Sequence, residues 1–143
     1  MKGLGSQLAS FLFKLVHGLL PSQDRVATVG LAVMGTCQQC SLEVEDLEHC
    51  FFRCPKNSVS GLTLLGWVQS ILPSMSPETA LCLKFDQDLN ETEELAVVTI
   101  LAIGLKYIWE ARTCKKPAHA YKMRAEMEAK IAILRKTRYS NIN

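Results

Sequence analysis

The sequence predicts an all-α fold, a compact helical bundle, and three observations favour it. Apolar residues recur at helical spacing along most of the chain, and residues that start or end helices flank these segments. No segment keeps the alternation of apolar and polar residues that a half-buried strand needs. The 143 residues are 48% hydrophobic, which suffices for a buried core, and their number favours one domain over residues 1–143.

The first part of the chain predicts two helices and a loop. Residues 6–17 place their apolar side chains on one face, and Gly18 follows as a C-cap glycine. Ser22 is a suitable N-cap for a second, short helix that ends before Gly30. Residues 37–54 then form a loop rich in cysteine and acidic residues.

The second part predicts four more helices. Pro55 suits the first position of a helix that runs through Leu72, because proline lacks the N–H that a helix start leaves unpaired. A Ser-Pro-Glu start predicts a short helix near 76–83. An Asn-Glu-Thr-Glu-Glu start combines an N-cap with acids that suit the helix dipole, and predicts a long helix over 91–113. A basic helix over about 118–138 closes the chain.

The loop at 37–54 carries a metal-ligand pattern, C-x2-C-x8-H-x4-C, made by Cys37, Cys40, His49 and Cys54. Three thiolates and one imidazole complete a tetrahedral set for Zn²⁺ and leave no position open for a catalytic water, so the site is predicted to be structural. Asp46 is expected to begin the helical turn that carries His49, and at most a small hairpin to form around Cys37 and Cys40. The predicted architecture is thus a helical bundle with a zinc-stapled CCHC loop.

The cysteines and the apolar segments indicate an intracellular protein, in the nucleus, the cytoplasm or both. The amino-terminal apolar stretch is interrupted by Lys14 and lacks a signal cleavage site, which argues against three disulfides in a secreted protein. Cys50, Cys82 and Cys114 are interpreted as small buried hydrophobes. The apolar run at 95–105 is too short to cross a bilayer, which needs about 20 residues, so no membrane contact is expected.

Charge is distributed unevenly along the chain. Residues 1–111 carry 7 basic and 12 acidic residues, whereas residues 112–143 carry 9 basic and 2 acidic ones. Such a basic end on an acidic body indicates a polyanionic partner, RNA or DNA, or else a solvated helix face. The candidate phosphate contacts are Arg53, Lys56, Arg112, Lys115, Lys116, Lys122, Arg124, Lys130, Arg135, Lys136 and Arg138.

Two further interpretations concern the aromatic residues and the catalytic motifs. Most aromatic side chains fall at core spacing, but Phe51 and Phe52 lie inside the metal loop, where a base-stacking role is an alternative. No phosphate-binding glycine loop, hydrolase motif or paired catalytic aspartates are present. A Cys–His hydrolase built from His17 and Cys114 has no local signature. The chain is therefore expected not to be an enzyme.

The segment before and through the metal loop resembles the reverse-transcriptase zinc-binding domain of LINE-type (non-LTR) retrotransposons. The resemblance rests on HGLLPS at residues 17–22, Arg25, the CCHC pattern, and LEHCFFRCP at residues 47–55. It extends less specifically to Tyr107–Arg112 and to the closing basic stretch.

This resemblance implies an accessory domain at the carboxyl end of a retrotransposon polyprotein. It implies that the domain holds element RNA or target DNA and contacts a reverse-transcriptase core. The sequence has no polymerase palm and no endonuclease, so it is expected to be a fragment, a truncated copy or a stand-alone derivative without polymerase activity. The alternative function is a protein-interaction adaptor that docks on a polymerase or host factor.

Overall fold

The structure, a computed structural model, describes residues 5–31, 34–85 and 89–140, with only the backbone described at 137–140. Over these ranges the chain forms α1 (Ser6–Val16), α2 (Gln23–Thr28), a π-helical turn (His49–Arg53), α3 (Ser58–Gln69), α4 (Pro77–Cys82), α5 (Glu91–Thr113) and α6 (Ala120–Ser140). Strand pairing in the described ranges is limited to one antiparallel bridge between Thr36 and Val44. The all-α prediction is confirmed. At the position of the predicted small hairpin, the described residues form only this single bridge.

Helix α5 is the centre of the bundle. It begins with the predicted cap: the Asn90 side chain accepts from the Glu93 backbone N–H, and the Glu93 side chain accepts from the Asn90 N–H. Its middle is buried on nearly every side by α1, α3, α6 and the π-turn. At Gly104 an added Cβ would lie 2.4 Å from Leu64 Cδ1, so the absence of a side chain there lets Leu64 of α3 pack against the α5 backbone.

The predicted ends of the first two helices are confirmed. Gly18 follows α1 with φ +65°, and Gly30 follows α2 with φ +82°. Both glycines adopt the left-handed conformation that ends a helix without a Cβ clash.

The predicted start of the third helix at Pro55 is wrong. The Cys54 carbonyl accepts from the N–H groups of Asn57 (2.9 Å) and Ser58 (2.7 Å), which closes a turn immediately after the last candidate ligand. Helix α3 therefore starts at Ser58 and ends at Gln69, and Leu72 packs into the core from the following turn.

The prediction that the remaining cysteines are buried holds only for Cys50. Burial, together with the nearby charge of Glu45, raises the pKa of the Cys50 thiol far above its ordinary value. Cys82 and Cys114 are exposed. Cys82 is the last residue of α4, and Cys114 is the C-cap of α5.

Among the described residues, no helix combines the length and apolar character that a membrane span requires.

Candidate metal centre and the adjoining basic cleft

The four predicted ligands meet at one point. The ligand atoms of Cys37, Cys40, His49 and Cys54 all lie within 4.8 Å of one another. Two elements bring them there: the bridged loop carries the first pair, and the π-turn carries His49 and leads directly into Cys54. The His49 backbone N–H donates to Asp46 Oδ1 at 2.7 Å, so Asp46 starts this turn as predicted.

Two of the separations between ligand atoms match a tetrahedral zinc ion closely. Zn–S bonds of about 2.3 Å and Zn–N bonds of about 2.0 Å place tetrahedral ligands about 3.8 Å apart (S to S) and about 3.5 Å apart (S to N). Cys37 Sγ lies 3.9 Å from Cys54 Sγ, and Cys40 Sγ lies 3.4 Å from His49 Nε2. His49, Cys37 and Cys54 are buried, so these residues suit a closed, structural Zn²⁺ site.

The thiols differ in how readily they ionise. Burial raises the pKa of Cys37, and it raises that of Cys54 to about 12. At Cys40 burial is opposed by the Leu42 backbone N–H and by contacts with Cys37 and His49, which together lower the pKa to about 7. Because zinc takes thiolates, its binding here releases protons, chiefly from the two buried sulfurs.

Glu43 orients the histidine ligand. Its Oε2 lies 3.2 Å from His49 Nδ1, which directs Nε2 toward the cysteines. A carboxylate behind a metal-bound imidazole fixes the tautomer and raises ligand basicity. Arg53 bridges Glu43 (3.7 Å), Asp46 (3.1 Å) and Glu48 (3.2 Å) across the face of the loop. Sequence reasoning did not single out Glu43, because the six-residue offset from His49 has no local signature.

A buried ion pair joins the metal loop to α5. Glu45 is 1% exposed and accepts from Arg112 Nη2 at 2.5 Å, from Arg112 Nε at 3.1 Å, and from the Gln23 N–H at 2.8 Å. The Arg112 guanidinium also lies 4.6 Å above the Trp109 ring. Burial opposes the charge of Arg112, but hydrogen bonding to Glu45 outweighs it and raises the Arg112 pKa. Arg112 is thereby committed to holding the loop against the helix bundle.

A cleft of about 300 Å³ opens beside the metal loop. It lies between residues 38–45 of the loop, the turn after Cys54, and the segment that follows α5. Its lining includes the exposed lysines Lys56, Lys115 and Lys116 and the amides of Gln38 and Gln39. No ion pair involves these three lysines among the described residues.

The other predicted phosphate contacts have different surroundings. Arg124 pairs with Glu128 and Lys130 with Glu126 along α6, while Lys122 lies 6.0 Å from the Tyr121 ring centroid. Arg135 and Lys136 are exposed, and the Arg138 side chain lies outside the described residues. Nucleic-acid binding by any of the eleven residues stays a prediction.

The alternative of base stacking by Phe51 or Phe52 is wrong. Their exposed fractions are 0% and 5%, and both belong to the hydrophobic core. The Phe51 ring faces Trp109 at a centroid distance of 6.2 Å. The π-turn thus directs its aromatic side chains into the bundle while His49 reaches the metal site.

Comparison with known protein families finds a match that includes the metal site. Residues 2–59 match the family model described as zinc-binding in reverse transcriptase, and this range contains all four ligands. Searches of curated proteins and of solved structures returned no match. The match covers less than half of the chain, and together with the Cys₃His geometry it supports a zinc-binding accessory role and a structural Zn²⁺ site for residues 2–59.

Proposed function

We propose that the chain is a non-catalytic module that binds nucleic acid for a reverse transcriptase of the LINE-type (non-LTR) retrotransposon kind, in the nucleus or cytoplasm. Zinc holds the loop, and the loop forms one wall of the cationic cleft. The module holds RNA or target DNA beside a reverse-transcriptase core.

The observation that carries this proposal is the set of three unpaired lysines in one cleft. Lys56, Lys115 and Lys116 have no carboxylate partner among the described residues, unlike Arg53, Arg112, Arg124 and Lys130. A polyanion gains most from cations that no protein carboxylate neutralises. The one acid in the cleft lining, Glu45, is buried and engaged with Arg112, so it adds little repulsion.

A salt series tests the proposal. Three phosphate contacts on a single strand give a slope of about −2 in log affinity against log salt, which is roughly a 20-fold loss between about 50 and 200 mM. The double variant Lys115→Glu/Lys116→Glu removes two contacts and makes the slope shallower by about 1.4. Lys14→Glu/Lys84→Glu makes the same change in net charge at exposed lysines outside the cleft and leaves the slope unchanged. The proposal would be refuted if the affinity did not depend on salt concentration, or if both double variants lost the same amount of affinity.

A second function, docking on a polymerase or host protein, is supported by a different observation. Leu31, Met34, Leu42 and Val44 are 59% to 80% exposed on and before the metal loop. An adaptor that uses these side chains would bind its partner equally well when Lys115 and Lys116 are reversed in charge. A pull-down with the purified reverse-transcriptase core, comparing that variant with Leu42→Ser/Val44→Ser, separates the two functions.

A further inference from the structure

An aromatic side chain is exposed four residues after the segment that lines the basic cleft. Tyr121 lies in the first turn of α6 and is 68% exposed. It follows Pro117, which lines the cleft, by four residues, so the two Cα atoms are at most about 15 Å apart. Among the described side chains, seven other aromatic rings are buried or partly buried in the core, and Phe13 is exposed but lies on α1, far from the cleft-lining segments in sequence. Tyr121 is the exposed ring that follows the cleft lining within four residues.

The platform around this ring is held in place. The His119 and Tyr121 rings are stacked, with centroids 5.3 Å apart and planes inclined by 27°. The His119 backbone N–H donates to Tyr107 Oη at 3.1 Å, and the Ala118 carbonyl accepts from Ser60 Oγ at 3.0 Å. The segment that presents Tyr121 is thus anchored to both α3 and α5.

Donors for a phosphate backbone lie on the neighbouring cleft wall. Buried Asn57 donates from Nδ2 to Gln39 Oε1 at 3.0 Å, which orients the Gln39 amide and leaves its NH₂ group as a donor. Gln39 faces the same cleft as Lys56, Lys115 and Lys116. The Lys122 ammonium lies over the Tyr121 ring, 6.0 Å from its centroid, and adds one further cation for a phosphate at this ring.

We propose that this surface binds single-stranded nucleic acid, with the backbone in the cleft and a base stacked on Tyr121. This inference rests on the proposed function and names its substrate class. In a duplex both faces of each base are covered by neighbouring pairs, so an aromatic side chain has no face to stack on. A single strand offers bases that can leave their own stack, and every base presents such a face whatever its identity.

The experiment compares two probes of one sequence. Fluorescence anisotropy measures binding of the zinc-loaded protein to a labelled unstructured RNA of about 15 nucleotides, a length in the range of single-strand sites, and to the corresponding duplex. Tyr121→Ala is expected to weaken single-strand binding about 5- to 150-fold, the value of one stacked base, and to leave duplex binding and the salt slope unchanged. Tyr121→Phe keeps the ring and is expected to bind as the parent does. Because Tyr121 is exposed, far-UV circular dichroism should show both variants folded.

The outcomes separate this inference from the proposed function. Unchanged single-strand affinity in Tyr121→Ala, or an equal loss on the duplex, overturns the single-strand assignment while a steep salt slope still supports nucleic-acid binding. A flat salt response with no effect of Lys115→Glu/Lys116→Glu overturns both. A loss of single-strand affinity in Tyr121→Ala, with parental affinity in Tyr121→Phe, supports the stacked base.

Discussion

The contact between α3 and the π-turn yields a prediction in which one substitution has opposite effects at two positions of one helix. Gly61 and Gly66 both lie within α3. A Cβ added at Gly61 would lie 1.9 Å from the backbone oxygen of Phe51, whereas nothing lies within 4 Å of a Cβ at Gly66. Close C···O contacts in proteins are about 3.3 Å or longer, so Gly61→Ala forces the two backbones apart by about 1.4 Å.

The magnitudes follow from this geometry. Overpacking costs about 1–3 kcal/mol and occasionally more, and an obstruction by backbone belongs to the upper part of that range. The better helix propensity of alanine returns about 1 kcal/mol. We therefore expect Gly61→Ala to lower the free energy of unfolding by about 2 kcal/mol or more. Gly66→Ala, with the same propensity gain and no clash, should raise it by about 1 kcal/mol.

Urea unfolding of the zinc-loaded protein, followed by far-UV circular dichroism, measures both changes. Phe51 lies between His49 and Cys54 in the chain, so a displaced Phe51 carbonyl also disturbs two ligands. Zinc competition with a chromogenic chelator should accordingly show weaker binding in Gly61→Ala and unchanged binding in Gly66→Ala. The reasoning fails if Gly61→Ala matches the parent, or if both alanines destabilise equally.

Three further predictions concern the metal loop and its attachment. Arg112→Met leaves the Glu45 carboxylate buried without its cation, which should lower the free energy of unfolding in urea by about 3–5 kcal/mol. Adding Glu45→Leu should recover most of this loss, and a double variant no more stable than Arg112→Met would contradict the prediction. Glu43→Gln, which weakens the support of His49, should lower zinc affinity about 10- to 100-fold in chelator competition, while the control Glu48→Gln, whose partner is Arg53, should not; equal effects would remove the role assigned to Glu43. Chelation of zinc present at about 1,000 times its Kd should remove about 4 kcal/mol of stability, with faster amide hydrogen exchange at 35–54 than in the middle of α5; uniform exchange across both would show that the ion stabilises the whole bundle alike.

Local features of the chain made much of the fold and the ligand set predictable. A capping box depends on residues three positions apart, and a C-cap glycine on one residue, so Asn90, Gly18 and Gly30 could be interpreted from the sequence. The four ligands also lie within 18 residues, and zinc restricts both their chemistry and their spacing. The start of α3 is not predictable in this way, because Pro55 suits a first helical position as well as the turn that the Cys54 carbonyl closes.

Contacts between distant parts of the chain were not predictable in this way. Glu45 and Arg112 are 67 positions apart, and neither position has a local signal for the ion pair. The same limit applied to the aromatic residues: Phe51 and Phe52 were candidates for stacking because they lie near the ligands in sequence. The packing of the π-turn on α3 and α5 decides instead that both rings are buried. The exposure of Tyr121 likewise depends on how α6 packs, which no local pattern in the sequence indicates.

These long-range contacts change the meaning of the uneven charge distribution. Counted along the chain, the basic residues appear to form one cationic end. In the folded protein the acidic metal loop neutralises Arg53 and Arg112, and α6 supplies its own acids to Arg124 and Lys130. The cations that remain for a ligand in the described cleft come from both sides of the sequence division, Lys56 after the last metal ligand and Lys115 and Lys116 after α5. Three residues of the metal loop line that cleft: Gln38, Gln39 and Glu45. The same loop is held by Cys37, Cys40 and His49. An ion bound at those ligands therefore sets the shape of the cleft as well as the stability of the loop.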